Sequence, residues 1–348
     1  MNYPDSVRFL YALGNEIKTA KLGLERVAAL LEALGAPHRA GRFVHVAGTN
    51  GKGSVCAMIE SGLRAAGFRT GLFTSPHLLE PTERIRIGGV PISPARFAEA
   101  FERVHAAAEG LLEAGRIDLH PTYFETVAAM AFLVFREEAV DWAVLETGLG
   151  GRLDATNVVA PLLTAVTPVD FDHEALLGRG LEAIAGEKAG ILKPGVPAVF
   201  ARQRPEAAAV LEARAAALGV PVARTSDWTV RDLELDPGGS RFTASGPAAL
   251  RLECRLPGEH QVENALAAAA ALVGLRVPAA AIERGIAAAR WPGRLERVAE
   301  RPDIILDGAH NPAGARALAA YIDRFYTGRT VWMLYGAMRD KAIAELGG

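Results

Sequence analysis

The sequence predicts an α/β fold in which a mostly parallel sheet is flanked by helices and followed by a second, smaller α/β domain. Apolar runs rich in Val, Ile and Leu alternate with helical patterns, and these runs are apolar enough to be buried on both faces, as the strands of a parallel sheet are. A Trp-Pro-Gly break at residues 291–293 then separates a helical stretch from a new apolar run, "DIILDG". We therefore expect one domain over residues 1–292 and another over residues 293–348.

The elements of the first domain are predicted in order along the chain. A strand, a helix and a strand occupy "RFVHVAG", "SVCAMIESGLRAAG" and "RTGLFTS". The helix "PTYFETVAAMAFLVFREEA" leads into the strand "VDWAVLETG", and "LLTAVTPVD" precedes the helix "LEAIAGEKAGIL" and the strand "PAVFA". Residues 224–246 alternate in polarity around a Pro-Gly-Gly turn, which predicts an antiparallel hairpin before the helix "HQVENALAAAAALVGL". The second domain contains only about two strands and two helices, few for an independent sheet, so we expect it to be truncated.

Composition restricts the classes of protein to consider. With 348 residues, 50% of them hydrophobic, the chain can bury a large core. A formal charge of -2 gives no electrostatic footprint for nucleic acid or an anionic membrane, and no apolar run approaches the roughly 20 residues that span a bilayer. The N-terminus has no basic start followed by an apolar block, and the two cysteines are far apart. We expect a cytoplasmic monomer that binds neither nucleic acid nor membrane.

A glycine-rich loop, "AGTNGKGS", follows the first predicted strand and precedes a predicted helix. In such a loop, backbone amides and the positive end of the helix face an anion, and glycines let the backbone approach it closely. Lys52 would add a mobile positive charge for terminal phosphates, and Ser54 an oxygen near Mg²⁺. Gly53 separates these two residues, so the loop departs from the common G-x-x-x-x-G-K-[ST] pattern. A plain strand-to-helix turn is the alternative.

This departure is informative, because "AGTNGKGS" resembles the ATP loop of the Mur ligase superfamily, in its folylpolyglutamate synthase and dihydrofolate synthase branch. The resemblance continues through "LETGLGGRLDATN", "TPVDFDHEALLG", "GEKAGILKPG" and "LDGAHNP". It implies a P-loop-type central domain like that of the Mur ligases, a Rossmann-like C-terminal domain, and ATP as a substrate. The ATP contacts that it implies form two groups. The first is Thr49, Asn50, Gly51, Lys52, Gly53 and Ser54, and the second is Asn264, Arg294, Asp307 and His310. Taken singly, each residue of the second group has a cap or turn role as its alternative.

The resemblance also implies two Mg²⁺ ions and leaves room for a monovalent cation. Glu146 ends a predicted buried strand, where an acidic side chain is costly unless a cation meets it. Ser75 would share that ion, while His173 and Lys188 would hold the second. Lys188 would first react with CO₂ to form an anionic carbamate, which requires a neutral amine and therefore burial. The alternatives are an exposed strand-end carboxylate, a helix N-cap at Ser75, a surface histidine and a solvated helix lysine.

A folate pocket is implied by three further stretches. "PTYFETVAAMA" corresponds to a folate-contacting stretch of the family, where Phe124 would stack on the pterin, although packing in the helix core explains this residue equally well. The glycine-rich turn before Asp154 would border the pterin. "KLGLERV" departs from the family pattern, because Lys21 stands where an acidic or apolar residue is usual. The implied folate contacts are Leu22, Gly23, Thr122, Tyr123, Phe124, Glu125, Leu153, Asp154 and Ala155.

Together these motifs predict an ATP-dependent ligase that adds L-glutamate to dihydropteroate, to the γ-carboxylate of reduced folates, or to both. The acceptor carboxylate would take the γ-phosphoryl group of ATP to give an acyl phosphate, which the amine of glutamate then attacks. Positioning and charge neutralisation carry most of such a reaction, and the predicted catalytic residues are Lys52, His173 and Lys188. One alternative is a Mur-type ligase for peptidoglycan precursors, which "SPHL" and "TYFE" disfavour. The other is an ATP-binding protein whose short C-terminal domain impairs catalysis.

Overall fold

A computed structural model describes residues 1–14 and 23–336. Eight strands form its central sheet: β1 (Phe43–Ala47), β2 (Thr70–Phe73), β3 (Ile85–Ile87), β4 (Val90–Pro91), β5 (Trp142–Glu146), β6 (Leu163–Val166), β7 (Ala198–Phe200) and β8 (Val222–Arg224). Their spatial order is β4-β3-β2-β5-β1-β6-β7-β8. The neighbouring strands in the series β2-β5-β1-β6-β7-β8 are all parallel, whereas β3 pairs antiparallel with β2 and with β4 at one edge of the sheet. The mostly parallel sheet predicted from the sequence is confirmed.

Helices cover both faces of this sheet. They are α1 (Tyr3–Ala12), α2 (Glu25–Ala33), α3 (Lys52–Ala65), α4 (Pro94–Glu113), α5 (Tyr123–Glu137), α6 (Glu174–Leu177), α7 (Leu181–Lys188), α8 (Pro205–Leu218), α9 (His260–Gly274), α10 (Ala279–Ala288) and α11 (Pro312–Phe325). None of these helices is long and apolar enough to cross a bilayer.

Alternation along the buried strands divides the core between the two faces. In β5, Val144 belongs to a cluster built with α3, α9 and α10, whereas Ala143 and Leu145 belong to a cluster built with α2, α4 and α5. Successive side chains of a strand point to opposite faces, so a strand between two helical layers must be apolar at every position. This explains why β1 and β5 are buried throughout and why their sequences do not alternate in polarity.

A three-stranded antiparallel sheet lies beside α9 and α10. Its strands are β9 (Thr229–Asp236), β10 (Gly239–Ser245) and β11 (Ala249–Cys254), in the order β11-β10-β9. Phe242, Leu250 and Leu252 point into the core shared with the two helices. The hairpin predicted around the Pro-Gly-Gly turn is therefore confirmed, and a third strand extends it.

The C-terminal segment begins with two short strands and a helix. Strands β12 (Glu296–Glu300) and β13 (Asp303–Leu306) are antiparallel, and α11 follows them. The strand predicted at "DIIL" is β13. In this pair Val298, Ile304 and Leu306 are 46–50% exposed, so one face of the pair is uncovered in the described part of the chain.

Candidate active site

A cavity of about 1530 Å³ lies between the carboxyl edge of the central sheet and the C-terminal segment. The carboxyl ends of parallel strands meet at one edge, so the loops after β1, β2, β5 and β6 converge there. Leu22 lies outside the described residues. The other residues expected to bind ATP, metal or folate all line this cavity: Gly23, Thr49, Asn50, Gly51, Lys52, Gly53, Ser54, Ser75, Thr122, Tyr123, Phe124, Glu125, Glu146, Leu153, Asp154, Ala155, His173, Lys188, Asn264, Arg294, Asp307 and His310.

The glycine-rich loop joins β1 to α3, and the first turn of α3 lines the cavity. The first amides of a helix have no acceptor within the helix, so this turn offers donors and a positive helix end to an anion. The Nζ atom of Lys52 donates a hydrogen bond of 3.1 Å to the carbonyl oxygen of Thr49, which folds the side chain back over the loop. The Ser54 hydroxyl lies 3.4 Å from the side-chain amide of Gln261 on α9.

The residues on either side of Lys52 must be glycines because neighbouring side chains leave no room for a Cβ atom, and not only because a phosphate would approach the backbone there. Gly51 is the N-cap of α3 with φ at 83°, and a Cβ atom there would lie 2.3 Å from the Oδ1 atom of Asn264. A Cβ atom on Gly53 would lie 2.6 Å from the indole nitrogen of Trp291. The glycine that breaks the common phosphate-loop pattern is therefore the place where α3 meets the segment after α10.

Glu146 is a buried carboxylate at the end of β5, with 4% of its surface exposed. Burial raises the pKa of this carboxyl group, and the nearby positive charge of Lys52 opposes that shift. One oxygen of Glu146 accepts a hydrogen bond of 3.1 Å from the backbone amide of Ser75. The alternative of an exposed strand-end carboxylate is thus excluded. No helix begins at Ser75 either, so the N-cap alternative is excluded as well.

Lys188 is a buried cationic residue at the end of α7, only 4% exposed. Its Nζ atom donates a hydrogen bond of 2.8 Å to the carbonyl oxygen of Gly48. Burial, together with repulsion from Lys52, lowers the pKa of the Lys188 amine to about 7. The alternative of a solvated helix lysine is therefore excluded.

Asp172 connects His173 with the C-terminal segment. One of its oxygens lies 3.7 Å from the Nε2 atom of His173, and the other lies 3.5 Å from the Nε2 atom of His310. His173 adopts a left-handed backbone conformation, with φ at 52°, immediately before α6. Two histidines that are far apart in the sequence therefore approach one carboxylate at the cavity wall.

The wall expected to contact folate is formed by the start of α5. Thr122 and Glu125 form a capping box there, and the Glu125 carboxylate also makes a two-pronged ion pair with Arg26, at 2.9 and 3.0 Å. Tyr123 is 2% exposed and lies under the guanidinium group of Arg84, 4.9 Å from it. Phe124 is only partly buried and packs at a tilt on Phe73, with ring centroids 5.6 Å apart.

Asp154 and Asp307 both use their carboxylates to hold loops of the cavity wall. Asp154 is buried and accepts hydrogen bonds from the backbone amides of Gly148, at 2.8 Å, and Leu149, at 3.0 Å. Asp307 accepts from the amides of Leu295, at 2.9 Å, and Ala309, at 2.8 Å. Both carboxylates therefore hold backbone segments of the cavity wall in place. For Asp307 this agrees with the alternative that it is a turn residue.

Comparison with known proteins agrees with this architecture. The Mur ligase middle domain matches residues 46–272, and the Mur ligase glutamate ligase domain matches residues 293–348. The chain is 38% identical to folylpolyglutamate synthase from Lacticaseibacillus casei, over 99% of this chain and 82% of that protein. It is 40% identical to dihydrofolate synthase/folylpolyglutamate synthase from Bacillus subtilis, over 94% of this chain and 78% of that protein.

The chain belongs to the folylpolyglutamate synthase and dihydrofolate synthase family of Mur ligases. The fold of the solved family members is the same. Folylpolyglutamate synthase from Thermotoga maritima superposes with a TM-score of 0.86 at 37% identity, covering 99% of this chain and 79% of that one. A complex of a folylpolyglutamate synthase with AMPPCP and folate superposes with a TM-score of 0.88 at 38% identity, covering 95% of this chain and 82% of that one.

Two residues that contact the cavity lining were not identified from the family motifs. Asn311, only 3% exposed, donates hydrogen bonds to Asn50 and Asp172, which both line the cavity. Its position before Pro312 is a helix N-cap signal, but nothing local indicates its second contact. Arg26 lies within "KLGLERV", and only the tertiary structure shows that it faces Glu125.

Proposed function

We propose that the chain is an ATP-dependent ligase that joins L-glutamate to dihydropteroate, to the γ-carboxylate of reduced folates, or to both. The observation that carries this proposal is the cavity, which is lined both by Lys52, Glu146 and Lys188 and by the aromatic start of α5. A set of groups suited to phosphates and an aromatic wall in one cavity suit a reaction between a nucleotide and a flat heteroaromatic acid. The family relationship supports the same class of reaction.

The phosphate-loop residues would bind and orient ATP. The first turn of α3 would donate its amides to phosphate oxygens, and Lys52 would exchange its bond to Thr49 for one to the terminal phosphates. Asn264 packs against Gly51, and Arg294, Asp307 and His310 of the C-terminal segment also line the cavity, so both α9 and that segment would contact a nucleotide bound there. Positioning of this kind is the main contribution of a protein to phosphoryl transfer.

The residues present fit a divalent cation beside the phosphates. The pKa of the buried Glu146 carboxyl group is raised, because the nearby positive charges and hydrogen bonds do not fully offset the loss of hydration of the ionised form. The neighbouring Ser75 offers a hydroxyl oxygen as a second ligand. Ser75 and Glu146 would hold one Mg²⁺ ion, and His173 with a carbamylated Lys188 a second. When bound, Mg²⁺ neutralises charge on the phosphate oxygens. A monovalent cation stays a prediction.

Lys188 is suited to carbamate formation. Its neutral amine would add to the carbon of CO₂ and release one proton, leaving an N-carboxylate of charge -1. The lowered pKa of about 7 makes the neutral amine available at physiological pH, and the bond to the Gly48 carbonyl fixes the nitrogen at the cavity wall. Arginine cannot take this role, because its guanidinium group stays protonated.

The chemical steps need no protein nucleophile. An oxygen of the acceptor carboxylate would attack the γ-phosphorus of ATP, ADP would leave, and an acyl phosphate would form. The amine of L-glutamate would then attack the acyl carbon, and phosphate would leave as the amide forms and the amine loses a proton. The C-terminal segment, docked over the phosphate loop, would exclude water that could hydrolyse the acyl phosphate.

A direct test measures phosphate release with dihydropteroate and tetrahydrofolate as competing acceptors. We expect release that depends on an acceptor and on L-glutamate, and that falls by orders of magnitude in the Lys52→Ala variant, which retains its fold. Release with a UDP-muramyl substrate but with neither pteroate nor folate would indicate a peptidoglycan ligase. Nucleotide binding without release under any of these conditions would leave only the impaired ATP-binding protein.

We also propose that the ligase works in the cytoplasm as a monomer without nucleic-acid or membrane partners. Cys56 and Cys254 are both buried free thiols, which is the ordinary state of cysteine in a reducing compartment. Size-exclusion chromatography with light scattering measures the oligomeric state.

A further inference from the structure

Three side chains of metal-binding type meet outside the cavity. His105 and Glu109 lie one turn apart on α4, and His120 lies in the segment that connects α4 to α5. The Nδ1 atom of His105 and the Nε2 atom of His120 are each 3.8 Å from the Oε1 atom of Glu109. All three potential ligand atoms lie within 4.8 Å of one another. None of the three residues lines the cavity described above.

The two ring nitrogens that face Glu109 lack hydrogen-bond partners. The Nδ1 atom of His105 and the Nε2 atom of His120 are both buried, and neither makes a hydrogen bond. A buried nitrogen without a partner costs free energy, so such an arrangement requires an explanation. A separation of 3.8 Å from Glu109 is too long for a hydrogen bond to the carboxylate.

The tautomer of His120 is fixed by its other nitrogen. Its Nδ1 atom lies 2.8 Å from the carbonyl oxygen of Pro121, and a carbonyl oxygen only accepts. The proton of the neutral ring is therefore on Nδ1, and the lone pair of Nε2 points toward Glu109. A histidine whose second nitrogen donates to a backbone carbonyl is the usual form of a histidine that binds a metal.

Aromatic rings hold both histidines in place. The ring of Phe9 on α1 lies 4.5 Å from the ring of His105 and 5.3 Å from that of His120, measured between centroids. Phe101 stacks on His105, with an interplanar angle of 10°. The Glu109 side chain is 48% exposed, in contrast to 21% for His105 and 15% for His120, so the cluster has one open side. Packing that orients the ligands, together with a path from solvent, is what an ion site requires.

We propose that His105, Glu109 and His120 bind a divalent transition metal ion of the zinc type. Two imidazole nitrogens and one carboxylate oxygen suit Zn²⁺, whereas Mg²⁺ prefers a set of oxygens. Tetrahedral zinc places its ligand atoms about 3.4 Å apart. The two separations from Glu109 are 3.8 Å, and the two histidine nitrogens lie within 4.8 Å of each other, so the three side chains would move closer together when the ion binds. The exposed side of Glu109 leaves the fourth position to water.

The ion would brace the wall of the active-site cavity. Its ligands join α4 to the connecting segment, which ends at Thr122, the N-cap of α5. His120 is two residues from this cap, and the next turn carries Tyr123 and Glu125 of the cavity wall. The role that follows is structural, and it does not depend on which acceptor the ligase uses.

The test uses untagged protein from which transition metals have been removed, with Mg²⁺ and ADP then added in excess so that the cavity is occupied. Calorimetric titration with Zn²⁺ measures binding, and the visible absorption of Co²⁺ reports its coordination. We expect one Zn²⁺ per chain in the wild type and an affinity at least about 10-fold lower in the Glu109→Gln variant. Zn²⁺ should also raise the melting temperature of the wild type, and should raise that of this variant less.

The matched control is Glu113→Gln, which removes the same charge from an exposed position on the same helix. It should bind Zn²⁺ as the wild type does. Circular dichroism verifies that the variants are folded, and His120→Gln provides a second ligand deletion. The proposal is overturned if the wild type binds no Zn²⁺, or if Glu109→Gln and His120→Gln bind it unchanged. Loss of binding in His173→Ala instead would place the ion in the active-site cavity and overturn the proposal equally.

Discussion

The side-chain amide of Asn311 donates a hydrogen bond of 2.9 Å to the Oδ1 atom of Asn50 and thereby joins the start of α11 to the phosphate loop. The other end of the same side chain caps α11, because its Oδ1 atom accepts from the amide of Gly314 at 2.9 Å. The Nδ2 atom also lies 3.4 Å from Asp172. One buried side chain therefore both starts a helix and docks the C-terminal segment on the nucleotide site.

These two roles can be separated by substitution of Asn311. Serine is a good N-cap residue but is too short to reach Asn50, so Asn311→Ser should keep α11 and lose the bridge. We expect kcat/KM for ATP to fall by about 10-fold, as for the loss of one buried hydrogen bond, with little change in melting temperature. Asn311→Ala, which loses the cap as well, should also melt earlier. Wild-type kcat/KM in Asn311→Ser would show that the bridge does not organise the site.

We expect the buried Glu146 carboxylate to lower the free energy of unfolding, although it is needed for activity. A carboxyl group whose folded pKa is raised stabilises the fold at low pH and loses that contribution as the pH rises through the folded pKa. The ionised form is therefore costly in the folded protein, and Glu146→Gln should raise the melting temperature of the nucleotide-free protein. The same variant should lose activity and the additional stabilisation by Mg²⁺ with ADP.

The control for this experiment is Glu60→Gln. Glu60 is equally buried, but it pairs with Arg64 and does not line the cavity. Its substitution should lower the melting temperature and leave the effect of Mg²⁺ with ADP intact. A Glu146→Gln variant that melts earlier than the wild type at pH 7 would contradict the assignment of an uncompensated charge.

Two predictions concern Lys188, and both depend on the formation of a carbamate at its amine. Lys188→Ala should lose most activity, and small carboxylates such as formate or acetate should restore part of it by replacing the carbamate. Because its pKa is about 7, labelling of the wild type by ¹³CO₂, observed by NMR, should increase as the pH rises through that value. Absence of both rescue and label would remove the carbamate from the mechanism.

The same pKa fixes the sign of the dependence of stability on pH. Between pH 7 and the ordinary lysine value of 10.5, the unfolded chain binds the Lys188 proton more strongly than the folded chain does. The contribution of Lys188 to the free energy of unfolding therefore rises across this interval and is lowest below it. Lys188→Met should accordingly be more stable than the wild type at pH 6 in CO₂-free buffer, and this advantage should shrink toward pH 9.

Gly53 should be intolerant of a side chain because of Trp291. Gly53→Ala places a Cβ atom 2.6 Å from the indole nitrogen, so we expect a loss of about 1–3 kcal/mol in the free energy of unfolding. Gly110→Ala on α4 is the control, because its Cβ atom would meet nothing within 4 Å. In a Trp291→Ala background the cost of Gly53→Ala should largely vanish in a double-mutant cycle. An undiminished cost there would place its origin elsewhere.

The order of the central elements could be predicted from the sequence because it depends on local patterns. Apolar runs without alternation identified β1 and β5, and the Pro-Gly-Gly turn identified the hairpin of β9 and β10. The sequence also placed Glu146 at the end of a buried strand and Lys52 in the loop after another strand. The pairing of β1 with β5, which brings the two residues to one sheet edge, is seen in the structure.

The tertiary structure decided which residues of different helices, strands and loops contact one another. The pairs Asn50–Asn311, Gly53–Trp291 and Arg26–Glu125 join residues about 100 to 260 positions apart, and the cluster of His105 and His120 depends on Phe9 from another helix. The sequence by itself determined which segments form the buried strands and which residues follow each strand, since both depend on local runs of apolar residues. It did not determine these partners, because they depend on how each helix is rotated and placed against its neighbours, and that is set by the packing of the whole core.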